Sequence, residues 1–567
     1  MKNYLDGGEA VLQAFRCLGV DYVMSSPGSE WGPVWEAFAR QAVNKTNGPV
    51  YLSCAHETLA VDLAIGYTAL TGRMQAVMLH TGVGLLQGAM GIDGAARAGV
   101  PMVVVSGEAL TYGEKEGFDP GPQWQASLSV VGGTHRLAEP LVKWSTQASS
   151  PQTLFQQLIN AGEMAQRAPA GPTYMAVPIE TMLHEWSPPA SVRMAPPAPK
   201  LAAAAADIEK VAELLVAAQN PLAITEAAGR DAEGYAALVA LAELLAIPVV
   251  EGQWSDYTNF PKDHPLHQGV GQSDLVKEAD VILTIRARAP WYPPRSRPAQ
   301  ATVVAIDETP FRPQMVYHNS QADHYLEGDV ATTLSALAQA ARDGLKKAAV
   351  EERRQRCSAA HARLMETQRA ALAKAAPQRP ISPLQVCASL GTALPDSAIY
   401  VDETITHRGT ILRHLQNKGP KSYIHAQGGL GQGLGIALGV KLAAKTRPVV
   451  SLIGDGSFMY NPVVQSLALS HHRQLPILIV VFNNGGYSAM RREHWQYYPD
   501  GVAAAHDIYP GHGVTELDYS ELVKPFGGYG RKVEDPAEIV PTLKEGLKAT
   551  EKGRTAIVNI ILEGGAP

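Results

Sequence analysis

Short apolar runs alternate with amphipathic stretches along most of this 567-residue chain, and the alternation has a regular beat. In the first third, DYVMSS (21–26), VYLSCA (50–55), QAVMLH (75–80) and PMVVVSG (101–107) read as strands, with helix-like segments between them. Strand-plus-helix units of about 25 residues predict a parallel sheet covered on both faces. The beat returns at about 205–345 with PLAIT, IPVVEG, ADVILTI and ATVVAID, and again at about 380–567 with SAIYVDE, PVVSLIGDG, LPILIVVFNN and TAIVNIIL. Between these regions lie a Pro-rich stretch, SPPASVRMAPPAPK (187–200), and a charged, Ala-rich helical segment that runs into PQRPISP. Both read as breaks. The expectation is an α/β fold of three similar-sized parallel-sheet domains over residues 1–186, 201–345 and 378–567. Length agrees, since one hydrophobic core does not grow to this size.

Charge narrows the function. Lys and Arg number 48 against 54 Asp and Glu, a net of -6, which argues against a general binder of nucleic acid or anionic membrane. With 18% charged residues the chain is slightly poor in charge, as a protein with large buried interfaces would be. Cys17, Cys54, Cys357 and Cys387 are far apart with no C-x-x-C pair, so neither a disulfide framework nor a zinc site is expected. The N-terminal stretch lacks the apolar core of a signal peptide, and runs such as LPILIVVF (475–482) are too short to span a bilayer. A cytoplasmic protein is the expectation. There is no G-x-G-x-x-G, no P-loop, no G-x-S-x-G and no H-E-x-x-H.

The chemistry concentrates in VVSLIGDGSFMYNPVVQSLALSHHRQLPILIVVFNNGGY (449–487). It reads as a strand, a tight Gly-Asp-Gly-Ser turn, an amphipathic helix, a buried strand and a Gly-rich end. A right-handed crossover sets its two strands parallel, so Asp455 and Asn484 emerge at the carboxyl ends of neighbouring strands, where open α/β sheets bind ligands. A carboxylate, an amide oxygen and loop carbonyls are hard donors suited to Mg²⁺ or Ca²⁺. The turn glycines let backbone amides approach an anion at a helix start. The combination describes a diphosphate held through a divalent metal.

On these residues the sequence resembles the thiamine diphosphate enzyme family, whose metal motif is GDG followed one crossover later by NN. The resemblance implies that Asp455, Asn484 and the Gly486 carbonyl hold Mg²⁺, with Gly456 and Ser457 at the diphosphate. It runs over the whole chain: a pyrimidine-binding domain, a central Rossmann-like domain and a diphosphate-binding domain, the order of the 2-oxo acid decarboxylase and acetohydroxyacid synthase branch. CAHETLAVDLAIGYTALTG (54–72) places Glu57 where a strand meets a helix. The family's glutamate at this spot hydrogen-bonds the pyrimidine ring, and burial would raise the pKa of such a carboxyl. In GGLGQGLGIALGV (428–440), the resemblance makes Leu430 the wedge that bends the cofactor and the Gly428 carbonyl an acceptor for its amino group. DETITHRG (402–409) corresponds to the lining of the cofactor channel, with Thr404 and Thr406 as cofactor contacts and His407 and Arg408 added.

Ser29 in SSPGSEWGPVW and His80 in MLHTGVG match a serine and a histidine of the benzoylformate decarboxylases, the nearest group in motifs. There the serine touches the substrate carboxylate and the histidine relays protons, tasks suited to a hydroxyl donor and a group titrating near neutrality. Other features depart from that pattern. ARAPWYPPRS (287–296) lacks the second histidine, and a Gly/Pro-rich loop over 108–125 brings Phe118, Trp124 and Gln125 into consideration. Arg408 reads as a solvated cation at a helix start, with binding of a substrate carboxylate as the alternative, and His471-His472 and Arg491-Arg492 read as helix-surface or loop residues. The resemblance implies decarboxylation of a 2-oxo acid through a C2 ylide and an enamine, with aldehyde release or carboligation. Acetolactate synthase-like carboligation is the alternative, and cleavage of a 2-hydroxy ketone a third. Outside the family stands a flavin or dinucleotide binder, with FAD not expected. The partners implied are a small 2-oxo acid or ketone and further copies of the chain, as a homodimer or a dimer of dimers.

Overall fold

In a computed structural model of the chain, residues 5–108, 130, 132–271, 274–311, 321–514 and 517–564 are described. Phe118, Trp124 and Gln125 lie outside them. Three six-stranded sheets, parallel throughout, organise the fold. The first contains β1 (Tyr22–Ser26), β2 (Val50–Ser53), β3 (Gln75–Leu79), β4 (Met102–Glu108), β5 (Trp144–Gln147) and β6 (Pro172–Pro178), in the order β2-β1-β3-β4-β6-β5. The second contains β7 (Pro221–Thr225), β8 (Val249–Glu251), β9 (His267–Val270), β10 (Val281–Ile285), β11 (Thr302–Asp307) and β12 (His324–Glu327), ordered β12-β11-β10-β7-β8-β9. The third contains β13 (Ile399–Glu403), β14 (Tyr423–His425), β15 (Val449–Gly454), β16 (Leu478–Asn483), β17 (Tyr529–Val533) and β18 (Ala556–Ile561), ordered β14-β13-β15-β16-β18-β17. The first and third sheets share one strand order, and the second has the doubly wound order of a dinucleotide-type sheet.

Every strand named from the sequence is present. Those passed over are the edge strands β5, β9, β12, β14 and β17, together with β6 beside an edge. Central strands are buried on both faces and read as continuous apolar runs, whereas edge strands are short and half wet. β17, YGRKV, shows only its last residue fully buried. β6 is fully buried, but a proline stands at each end of PTYMAVP and breaks the signal.

The chain divides into two compact units. One comprises Met1–Pro199, Gln427–Ala443 and Asn461–Leu469, and the other comprises Lys200–Ala426, Ala444–Tyr460 and Ser470–Pro567. In the first unit the helix Glu57–Thr71 is apolar almost all round and buried from Thr58 to Ala69. Its partner is the helix Gly433–Ala443. Backbones meet there: a Cβ on Gly66 would lie 2.0 Å from the Ile436 carbonyl oxygen, and one on Gly439 would lie 2.2 Å from that of Leu63. Asp62, fully buried on the first helix, accepts from Gln432 Nε2 at 3.1 Å just ahead of the second. In the second unit, β15 passes directly into a short helix, Asp455–Tyr460, in place of the expected tight turn. That helix stops at Asn461-Pro462, where proline has no N–H to continue the ladder, and a second helix, Val463–Arg473, follows.

Candidate active site

Strand order places the candidate residues. In the first and third sheets the chain winds away in opposite directions from two adjacent strands, and a crevice opens outside their carboxyl ends. In the first sheet these strands are β1, which runs into Gly28, Ser29 and Glu30, and β3, which runs into His80 and Thr81. In the third they are β13, which runs into Thr404, and β15, which ends at Asp455; β16 then delivers Asn484 alongside. The candidates thus form two groups, one in each unit.

In the first unit the group centres on a carboxylate–imidazole pair. Glu30, fully buried, lies 2.9 Å from His80 Nδ1 through both carboxylate oxygens and accepts the Thr81 amide at 3.0 Å. This bond is the main reason the His80 imidazole is held above its ordinary pKa; desolvation opposes it, and the charges of Glu30 and Glu57 add to it. The carboxylate engages Nδ1 and so fixes the orientation of the imidazole ring. Two glycines make room for the pair: a Cβ on Gly28 would fall 1.8 Å from His80 Nδ1, and one on Gly107 would fall 2.0 Å from Glu30 Cγ. Glu57 opens its helix half-buried, where the helix dipole favours a carboxylate. A Cβ on Gly84 would lie 3.5 Å from Glu57 Oε1 and 2.9 Å from His80 Cβ, so the backbone at Gly84 passes close to both side chains. Ser29 is exposed. Glu108, nearly buried, accepts from Thr134 Oγ1 at 3.0 Å and from Thr81 Oγ1 at 3.5 Å. Gly428, with φ +111°, and the half-buried Leu430 lead into the helix that covers Glu57–Thr71.

In the second unit three oxygens converge. Asp455 is 3% exposed, burial pushes its carboxyl up, and its Oδ2 has no hydrogen-bond partner. The Asn484 amide donates to Gly486 O at 2.8 Å and to Asp455 Oδ1 at 3.3 Å in one orientation. Turned over, it presents its own oxygen to those two oxygens. A buried, half-satisfied carboxylate beside a carbonyl and an amide oxygen fits a hard divalent cation, so the residues present suit the expected metal. Tyr487 packs across Gly456, where a Cβ would meet its ring at 2.5 Å. The Gly456 amide donates to Asp455 Oδ1 at 2.8 Å, and Ser457 is buried. Thr404, 2% exposed, donates its amide to Asp402 Oδ1 at 2.9 Å, and Tyr423 Oη donates to Asp402 Oδ2 at 2.6 Å. That buried carboxylate fixes the loop carrying Thr404 and the half-buried Thr406. Burial and the charge of Arg492 push the His407 imidazole down to about 4.

Sequence reasoning missed Glu30, although a carboxylate directly after Ser29 at a strand end was a usable signal. It also misread Arg408, which is not a solvated cation. Arg408 is 7% exposed, donates to Ser255 O at 2.8 Å, pairs with Asp256 at 3.3 Å and lies over the Trp254 ring at 5.5 Å. Arg491, too, is half-buried: it pairs with Asp507 and lies 4.6 Å over the Tyr509 ring, lining a cavity of about 240 Å³ beside Asn484–Ser488. His471 and His472 are exposed on a helix as expected. All four cysteines are buried, and none forms a disulfide. No helix among the described residues is long and apolar enough to cross a membrane.

Comparison with known proteins agrees with this geometry. Residues 5–128 match the N-terminal TPP binding domain of thiamine pyrophosphate enzymes, 208–337 their central domain and 406–560 their C-terminal TPP binding domain. The chain belongs to the thiamine pyrophosphate (thiamine diphosphate) enzyme family. Within it, the chain is 27% identical to a benzoylformate decarboxylase of Pseudomonas aeruginosa, over 95% of this chain and 96% of that one. It is 25% identical to the acetolactate synthase isozyme 3 large subunit of Escherichia coli, over 99% and 95%. The crystal structure of benzoylformate decarboxylase from Polynucleobacter necessarius shares the fold with a TM-score of 0.78, at 21% identity over 98% of each chain.

Proposed function

We propose that this chain decarboxylates a 2-oxo acid with thiamine diphosphate and a divalent cation, Mg²⁺ or Ca²⁺, and either releases the aldehyde or transfers the acyl carbanion equivalent to an acceptor carbonyl. The observation that carries the reading is the convergence of Asp455 Oδ1, the Asn484 amide and the Gly486 carbonyl at the edge of the third sheet, with Asp455 Oδ2 unsatisfied. When bound, the cofactor supplies a carbanion and an electron sink. The chain's own residues do the rest. Asp455, Asn484 and Gly486 offer oxygens to the cation, while Gly456, Ser457, Thr404 and Thr406 hold the diphosphate. Glu57 carries a proton for the pyrimidine ring, and Leu430 and the Gly428 carbonyl fix that ring's attitude. Ser29 donates its hydroxyl to the substrate carboxylate. His80, its Nδ1 anchored on Glu30, holds or delivers a proton at Nε2.

One observation favours carboligation as a second reading. Across 287–296, where a second proton-relay histidine was sought, the structure presents a buried Trp291 and an exposed Tyr292. A site with one relay histidine protonates more slowly and gives an acceptor carbonyl more time. At the matching edge of the second sheet, Arg286 bridges Asp231 and Glu308, and Arg288 pairs with Asp256. Side chains there occupy the place where a dinucleotide pyrophosphate needs bare amides, which supports a middle domain without flavin.

The test is a panel of 2-oxo acids, with and without added aldehydes, following CO₂ and products. Rapid aldehyde release from one acid supports the decarboxylase, and CO₂ evolved only with an acceptor supports the ligase. Full turnover after exhaustive removal of thiamine diphosphate and Mg²⁺ refutes both.

A further inference from the structure

The Asn484 amide can lie two ways, and this chain carries residues that choose between them. In one, its nitrogen donates to Gly486 O (2.8 Å) and Asp455 Oδ1 (3.3 Å) while its oxygen accepts from Ser488 Oγ (2.9 Å). In the other, its oxygen faces those two oxygens, and its nitrogen donates to Ser488 Oγ at 2.9 Å and to His407 Nε2 at 3.3 Å. Only the second gathers three oxygens, and only the second can ligate a hard cation. The first closes the site on itself through the amide's own N–H groups.

Ser488 does not discriminate, because a hydroxyl both donates and accepts. A ring nitrogen does discriminate: in the tautomer with its proton on Nδ1, His407 Nε2 welcomes an N–H and repels the carbonyl oxygen. His407 is held for that task. It is 9% exposed, its ring stacks on Phe482 at 5.8 Å between centroids, and its backbone amide donates to Thr404 O at 2.8 Å. It therefore comes from the loop between β13 and the helix Arg408–His414, whereas Asn484 comes from the end of β16. We propose that His407 Nε2 is a positioning group that holds the Asn484 amide in its cation-ligating orientation. It acts on the cation site through Asn484. The proposal rests on the reading that Asp455, Asn484 and Gly486 hold a divalent cation.

The probe is Mn²⁺, titrated into the stripped full-length chain with thiamine diphosphate present, with free Mn²⁺ read by electron paramagnetic resonance. His407→Phe keeps an aromatic ring against Phe482 and removes the acceptor; His407→Gln restores an acceptor. Loss of an outer-shell partner costs a metal site about 10–100-fold in affinity, and His407→Phe is expected in that range. His407→Gln is expected within a few-fold of wild type. Circular dichroism checks that each variant is folded; if His407→Phe is not, His407→Leu, which also removes the acceptor, takes its place with the same loss expected. Wild-type Mn²⁺ affinity in the acceptor-less variant overturns the proposal, and so do equal losses in the Phe and Gln variants, since packing alone would then explain them. No Mn²⁺ uptake by wild type would refute the cofactor reading itself, a result distinct from either of these.

Discussion

The sharpest consequence of the fold concerns one methyl group at Gly439. An ideal Cβ there lies 2.2 Å from the Leu63 carbonyl oxygen and 2.9 Å from the Tyr67 amide nitrogen, both on the facing helix. Carbon and carbonyl oxygen rest at about 3.3 Å or more, so the helices must part by about 1 Å at this point. Neither obstacle is a side chain that can swing aside; both are backbone. Overpacking of this kind costs about 1–3 kcal/mol, while Gly→Ala inside a helix gains about 1 kcal/mol of propensity. With both obstacles in the backbone the loss prevails, and Gly439→Ala should destabilise by up to about 2 kcal/mol. The control is Gly391→Ala, in the helix Pro383–Ala393, where the nearest atom a Cβ would meet is Gln416 Cβ at 3.7 Å, an ordinary contact. There only the propensity gain remains, and stability should rise. Differential scanning fluorimetry reads the two directions without assuming two-state unfolding. Because Glu57 opens the displaced helix, Gly439→Ala should also lower kcat/KM, whereas Gly391→Ala leaves it unchanged. If Gly439→Ala melts at or above the wild-type temperature, the close helix contact is not what the geometry says it is.

Glu57→Gln keeps the shape and removes the ionisable group, so turnover should fall by about 10²–10⁴-fold with little change in melting temperature; an unimpaired variant contradicts its role. Asp455→Ala should abolish Mn²⁺ uptake in the resonance assay, because it removes the one charged ligand; retained uptake would move the metal elsewhere. Glu30 holds the His80 imidazole up, so the stabilisation from charged His80 is complete below its unfolded pKa of about 6.5 and is lost as pH rises through the raised value. Glu30→Gln should therefore shift the limb of the kcat/KM–pH profile that follows His80 to lower pH, and a limb that stays in place, measured with His80→Ala as reference, would detach His80 from the profile.

How far the sequence reached follows from the distance over which each signal acts. The GDG turn and the NN strand end are local patterns, each complete within a few residues, and the crossover between them fixes their neighbourhood. The central strands were legible because burial on both faces leaves nothing but apolar side chains. Glu30 escaped because its partner, His80, lies 50 positions away, and only the adjacency of β1 and β3 joins them. Arg408 was misread for a similar reason: it pairs with Asp256, 152 positions earlier in the loop after β8, and no local pattern records that pairing. The two-helix path through Asp455–Arg473 was legible in principle, since Pro462 announces the break.

The cover over the helix Glu57–Thr71 arrives late. Gln427–Ala443, which belongs to the same compact unit, is made roughly 350 residues after Thr71. At ribosomal rates of about 5–20 residues per second, that is a wait of roughly 20–70 s. During this interval a nearly all-apolar helix has its sheet on one side and no permanent neighbour on the other. The nascent chain therefore cannot finish its first unit before much of its last sheet has been synthesised. A fragment ending at Pro199 would expose that helix and depend on chaperones or aggregate. The order of synthesis and the order of completion differ in this chain, and the interleaving makes residues 1–469 the smallest stretch that contains the whole of its first unit.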